Sequence, residues 1–336
     1  MNLNSLEAYD FYLPKTLIAQ DPVDPRDHSK LMVLNQDKII HDYFYNIINY
    51  LEKDDLIIFN DTKVLKARMI GKKLTGGKVE ALITSKKDNV CTAIIGGKNV
   101  RIGTILDFNG LRGKVIEKNE GFGTIEFEQE PDLDNVATVK LPPYIKKELK
   151  DADRYQTIFA KNNGSLAAPT AGLHFTSQLL KNLEYKGVKI GYITLHIGFS
   201  TFAPVREEDI TTHKMYYEYY SISNDTADLI NNRSGRLIAV GTTVMRALES
   251  SAKDGKIISN TTKTDLFIYP GYKFKSGVAA LITNFHIPKS SLLMLVSAFA
   301  GYENIMRAYR IAVENKYRFF SFGDAMLVFP YLPKND

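Results

Sequence analysis

The chain has 336 residues, 44% of them hydrophobic and 24% charged, with a formal net charge of +5 and one cysteine. It is long enough for a substantial core and for two domains, and the single Cys91 excludes a disulfide framework or a cysteine-rich zinc site. The opening "MNLNSLEAYD" has no basic flank or apolar core, and the longest apolar run, "SLLMLVSAFAG", is about half of what a bilayer needs, so neither a secretory signal nor a membrane span is expected and the expected location is a reducing cytoplasm.

In chain order, "LIIFNDT" reads as the first buried strand. From about Lys63 to Lys150 the texture changes to short apolar-alternating runs such as "KVEALIT", "VCTAIIG", "GTILDF" and "TIEFE", divided by Gly76-Gly77, Asp88-Asn89, Gly96-Gly97 and Asn109-Gly110. That pattern predicts a small antiparallel barrel. The strand, loop, helix rhythm then returns. "IGYITLHIG", "RLIAVGTT" and "ALITNFH" read as buried strands, while "TSQLLKNLEYKG" and "TVMRALESSAKDG" read as helices ending at a glycine. The expected fold is α/β: a three-layer, sandwich-like main domain over residues 1–64 and 151–336, with an antiparallel β-barrel inserted over residues 65–150.

Four apolar runs end in polar residues: Asn60-Asp61-Thr62, His196 with Gly198 and Ser200, Gly241-Thr242-Thr243, and Asn284 with His286. Ligands of open α/β sheets bind at the carboxyl ends of strands, so these tails are expected to converge on one crevice. Thr242 and Thr243 open a helix that carries Arg246. The group is either an anion cradle or an ordinary threonine cap beside a solvated arginine. His174 sits in the loop "AAPTAGLHFT", as a catalytic ring or as a core histidine satisfied by a carbonyl. "THKMYYEYY" adds His213, Glu218 and tyrosines suited to base stacking or to packing. The mild positive charge, with lysine pairs at 72–73 and 146–147, permits RNA as a partner.

Other motifs fail on inspection. "GKKLTGGKV" has Gly77 where a phosphate loop needs its lysine, no G-x-G-x-x-G follows a strand, and H-E-x-x-H and G-x-S-x-G are missing. The histidines are too scattered to claim a metal, and Cys91 falls in an inserted strand away from the other candidates.

Taken together, "YDFYLPKTLIAQDPVDPRDHSKLMVLN", "IIFNDTKVLKARMIGKKLTGGKVEALI", "LPPYIKK", "GSLAAPTAGLHFT", "LHIGFSTFAPV", "HKMYYE", "IAVGTTVMRALES", "TDLFIYPGYKF" and "ALITNFHIPKSSLLMLVSAFAG" resemble the S-adenosylmethionine:tRNA ribosyltransferase-isomerase family of queuosine biosynthesis, over nearly the whole chain. The chain departs from the family pattern at Ser200, where a glycine stands, and at Tyr216 and Tyr217, where a histidine and a serine stand. The resemblance implies an α/β sandwich joined to a β-barrel. It implies transfer and isomerisation of the ribosyl group of S-adenosylmethionine (AdoMet) onto 7-aminomethyl-7-deazaguanine at the tRNA wobble position, giving epoxyqueuosine with release of adenine and methionine. AdoMet is then a ribosyl-donor substrate, tRNA is the partner, and neither a metal nor a membrane is involved. A monomer is expected.

Such a reaction needs a base for the acidified C5′ hydrogens, a donor for departing adenine and a clamp for the methionine carboxylate. The catalytic candidates are His174, His213 and Asp61. The substrate-binding candidates are Thr170, Gly172, His196, Gly198, Thr242, Thr243, Arg246, Asn284 and His286, with Arg246, Thr242 and Thr243 as the clamp. Two other readings are an RNA-binding protein without catalysis and an AdoMet-dependent RNA methyltransferase.

Overall fold

A computed structural model describes residues 2–119, 121–147, 149, 151–198 and 205–332. The chain divides into two compact units, Met1–Lys63 with Pro142–Asp336 and Val64–Leu141.

The first unit is built on a nine-stranded sheet. At its centre lie four parallel strands: β1 (Leu56–Asn60), β2 (Lys189–Leu195), β3 (Leu237–Val240) and β4 (Val278–Asn284). Their spatial order is β2, β1, β3, β4. "LIIFN" and "LIAV" are buried throughout, and apolar but for the terminal Asn60, because both faces of the sheet are covered, as parallel strands require. Alternate residues feed two cores. Leu56, Ile58, Leu237 and Ala239 pack on one face beneath helices that include α1 (Thr242–Ser251) and α2 (Ser291–Ala300). Ile57, Phe59, Ile238 and Val240 pack on the other face against Phe44, Phe175 and the helix Ser177–Tyr185. The result is the expected three-layer α/β arrangement.

Register matters for the site. Ile193 pairs with Asn60, Ala239 with Ile58 and Val240 with Ile282, so the carboxyl ends of all four strands finish at one edge of the sheet. Gly241 turns the chain from β3 into α1 at a φ of 95°, a left-handed conformation that glycine adopts without the Cβ penalty. Ser290 caps α2, its Oγ accepting from the Leu293 amide at 3.2 Å.

The second unit is a closed barrel of six antiparallel strands: Lys66–Lys73, Lys78–Lys87, Val90–Gly96, Phe122–Phe127, Leu111–Asn119 and Ile105–Phe108, the last pairing back onto the first. Closure removes the sheet's open edges. The strands alternate buried and exposed residues, as in Leu111–Asn119. A Cβ on Gly113 would lie 2.6 Å from an Ile125 methyl, so backbone and side chains together fill the interior.

Residues 142–150 were expected in the barrel, but from Pro142 onward the chain belongs to the α/β unit. The reason is a set of long-range contacts invisible to periodicity. Gln20 donates to the Tyr144 carbonyl at 3.0 Å and accepts from the Lys146 amide at 2.8 Å, and Lys147 pairs with Asp21 at 2.7 Å.

Candidate active site at the strand ends

The carboxyl ends of β3 and β4, together with the loop 168–171, line a cleft of about 900 Å³ counting its open mouth. Thr170, Thr242, Thr243, Asn284 and His286 all face it, joined by Ser290, Ser291 and an aromatic pair, Tyr144 and Phe320. No Asp, Glu, Lys or Arg side chain lines it among the described residues. Its polarity comes from hydroxyls, one amide, one imidazole and the first turns of α1 and α2. Unpaired N–H groups at helix starts favour an anion. Two such starts meet here.

His286 is buried, and its Nε2 lies 3.0 Å from Thr283 Oγ1 while its backbone amide donates to Tyr309 Oη at 2.9 Å. Burial holds the ring neutral by pushing its pKa down from 6.5 to about 3.

His174 stands behind the cleft and does not line it. Its Nδ1 lies 2.8 Å from Ser29 Oγ and its Nε2 receives Asn284 Nδ2 at 3.0 Å, while Asn284 Oδ1 accepts from Thr170 Oγ1 at 2.9 Å. With both ring nitrogens engaged, the assignment of Asn284 as donor makes His174 the Nδ1–H tautomer. Phe44 stacks on the ring at 4.9 Å. Its pKa is pushed down to about 3, by burial first and then by the positive charges of Arg318 and Arg26. The ring orients Asn284 and, through it, Thr170.

Asp61 and His196 lie at the ends of β1 and β2, outside the cleft. Asp61 accepts from Thr194 Oγ1 at 2.6 Å and from Asn162 Nδ2 at 3.0 and 3.1 Å, and it faces a polar hollow with Lys161 and Thr226. His196 Nδ1 lies 2.8 Å from Thr62 Oγ1. Burial lowers the His196 pKa, and the Asp61 carboxylate partly offsets that. Gly164 is required beside it, because a Cβ there would come within 2.7 Å of the ring.

Arg246 is not free to clamp a carboxylate as expected. It is only 4% exposed, forms an ion pair with buried Glu218 and donates through Nε to the Leu266 carbonyl at 2.9 Å. Glu218 also accepts from the Gly198 amide at 3.1 Å, so Gly198 is tied to this buried pair. Among the described residues Arg246 Nη2 has no hydrogen-bond partner. Gly172 is a packing residue: a Cβ there would meet the Phe159 ring at 2.8 Å and a Thr157 methyl at 2.9 Å. His213 pairs with Glu207 at 2.8 Å and meets Phe267 edge-on, and it does not line the cleft. Tyr216 and Tyr217 are exposed, and Ser200 lies outside the described residues.

Sequence reasoning missed Ser290 and Ser291, although two serines before "LLMLVSAF" are a helix-start signal. It also missed the strap made by Asn60, whose side chain accepts from the Leu195 amide and donates to the Leu195 carbonyl, each at 2.9 Å, fixing the ends of β1 and β2 together. Among the described residues no group of three or more His, Cys, Asp or Glu side chains could hold a metal, and no helix is long and apolar enough to cross a membrane.

A ligand cleft at the carboxyl ends of parallel strands, with two helix starts at its wall, is the usual site of a small-molecule enzyme on an α/β sheet. Residues 6–328 match the family described as queuosine biosynthesis protein, and the chain belongs to that family. It is 48% identical to a protein of Desulforamulus reducens, over 96% of this chain and 99% of that one, and 50% identical to one of Thermoanaerobacter sp., over 95% and 98%. Both relatives are named S-adenosylmethionine:tRNA ribosyltransferase-isomerase. The fold is similar to the crystal structure of S-adenosylmethionine tRNA ribosyltransferase from Thermotoga maritima, with a TM-score of 0.57 and 37% identity over 96% of this chain and 100% of that one.

Proposed function

We propose that this enzyme transfers and isomerises the ribosyl group of AdoMet onto 7-aminomethyl-7-deazaguanine at the wobble position of a tRNA, forming epoxyqueuosine and releasing adenine and methionine. The family membership carries the reaction class. The observation that carries the site is the strand-end cleft, which combines two helix starts with no charged side chain among the described residues.

That combination suits AdoMet. The sulfonium is a cation, and a cleft with no lysine or arginine among its described lining residues and with a neutral His286 does not repel it. The methionine carboxylate is an anion, which the helix-start amides and the hydroxyls of Thr242, Thr243 and Ser291 favour. The anion-binding role read for Arg246 thus passes to the helix starts, and Arg246 holds Glu218 and Gly198 in place. His286 hydrogen-bonds the substrate as a neutral ring, since a group titrating at about 3 is a weak base at neutral pH. Thr170 and Asn284, oriented by His174, supply further polar contacts. Asp61 and His196, at the ends of β1 and β2, lie outside the cleft and take no part in the transfer in this reading. His213, held by Glu207, has no role in this reading.

AdoMet labelled in the ribose tests the reaction. Label passes to tRNA bearing 7-aminomethyl-7-deazaguanine, and adenine and methionine appear in equal amounts. Label arriving from the methyl carbon, with S-adenosylhomocysteine as co-product, overturns the proposal in favour of a methyltransferase. Binding of that tRNA with no transfer from either position favours an RNA-binding protein.

A further inference from the structure

Beside the cleft the α/β unit carries a second, open groove that shares Tyr144, Ile287 and Phe320 with it, so that the two form one continuous depression. Tyr144 and Phe320 make the sill between them, their ring centroids 3.9 Å apart. Beyond the sill the groove is lined by apolar side chains, by Tyr12 and by a single charged group, Asp10, neither of which touches the cleft. Tyr12 is 82% exposed, a large ring held in water beside an apolar wall. Asp10 is fixed on the rim by Lys289, whose ammonium lies 3.0 Å from Asp10 and 2.7 Å from Glu7, and its carboxylate remains half-exposed.

The geometry points to this groove as the dock of the acceptor nucleobase: a guanine-type base splayed out of single-stranded RNA, with Tyr12 stacked on its face and Asp10 accepting from its Watson–Crick edge. The inference rests on the proposed ribosyl transfer, in which the donor fills the cleft and the acceptor's aminomethyl group must reach it over the Tyr144–Phe320 sill. In a 7-substituted 7-deazaguanine the substituent sits on the five-membered ring, and the N1–H and 2-amino donors sit at the far end of the six-membered ring. A base that sends its aminomethyl group over the sill therefore leaves those donors farther along the groove, in the part where Asp10 stands. That edge presents N1–H and the 2-amino group side by side, two donors that a carboxylate accepts together. Adenine presents an acceptor at N1, which a carboxylate repels. Reading unstacked bases by aromatic stacking and by their Watson–Crick edges is the common mode of single-stranded RNA recognition.

The test is direct binding of a fluorescent anticodon stem-loop carrying 7-aminomethyl-7-deazaguanine, followed by anisotropy, with AdoMet affinity measured on the same preparations. Tyr12→Ala weakens stem-loop binding about tenfold, the scale of one lost base–aromatic stack, and leaves AdoMet affinity unchanged. Tyr12→Phe, which keeps the ring, binds as the parent does. Asp10→Asn reduces the preference for the guanine-type base over adenine at that position. Parent-like RNA binding by both Tyr12→Ala and Asp10→Asn overturns the inference, as does an equal loss of AdoMet affinity in Tyr12→Ala. If the parent binds the stem-loop through Tyr12 yet transfers no ribose, the reaction is wrong and the groove stands. If the parent transfers ribose and Tyr12→Ala binds equally well, the groove is wrong and the reaction stands.

Discussion

The two units of this chain use β-structure in opposite ways. In the α/β unit, β1 and β3 are buried along their whole length and gather their polar residues at or just past the last strand residue. In the barrel, polarity runs alongside apolarity within each strand, as in Lys66–Lys73, and the enclosed side is filled by groups such as Ile125 and Phe127. A covered parallel sheet leaves its strand ends as the only part of its central strands that a ligand can reach, so chemistry gathers there. A small closed barrel presents its outer wall to solvent and keeps its interior for packing. The only cysteine, Cys91, follows this rule: it is buried in the barrel, and burial pushes its thiol pKa up, away from the reactive thiolate.

The contrast is sharpened most by removing a cleft group. His286→Ala leaves the fold intact and lowers turnover by about 10²–10³-fold, the scale of one preorganised hydrogen-bonding group; steady-state rates set beside thermal melts check it. Near-parent turnover would move the chemistry away from this cleft.

A barrel substitution gives the complementary result. Gly113→Val places atoms where Ile125 and Phe127 already sit, 2.6 and 2.9 Å from the new Cβ. Overpacking of this kind costs about 1–3 kcal/mol, so the melting temperature drops while AdoMet affinity, measured well below the transition, stays at the parent value.

The contrast also reaches the pH dependence of stability. His174 and His286 titrate at about 3 in the folded chain against an ordinary value of 6.5, so only the unfolded chain takes up their protons in between. Stability that is full above about pH 6.5 is therefore lost progressively as the pH falls toward 3. Melts recorded across that window show the decline, and His174→Gln makes it shallower.

The fold was legible where it depends on local pattern. The apolar runs with polar tails at Asn60, His196, Gly241 and Asn284 gave both the parallel strands and their shared edge, and the alternating runs after Lys63 gave the barrel. What sequence could not show were pairings over long separations. Glu218 is 28 residues from Arg246, and nothing local says that the pair neutralises the expected clamp. The engagement of His174 with Ser29 and Asn284, 145 and 110 residues away, is what supports a positioning role for it, and the composition of its own loop fits either role. Gly172 looked like a ligand-facing glycine because space around a Cβ is a tertiary property. Ser290 and Ser291 were legible as a helix start, but their place on the cleft wall required the fold.

The central claim, that AdoMet occupies the cleft at the ends of β3 and β4, is tested most directly by hydrogen exchange with and without AdoMet. AdoMet slows exchange in peptides covering residues 167–172, 241–246 and 283–293 and leaves the barrel strands between residues 66 and 127 unchanged. Protection confined to the barrel, or exchange at the strand ends that ignores AdoMet, would contradict it.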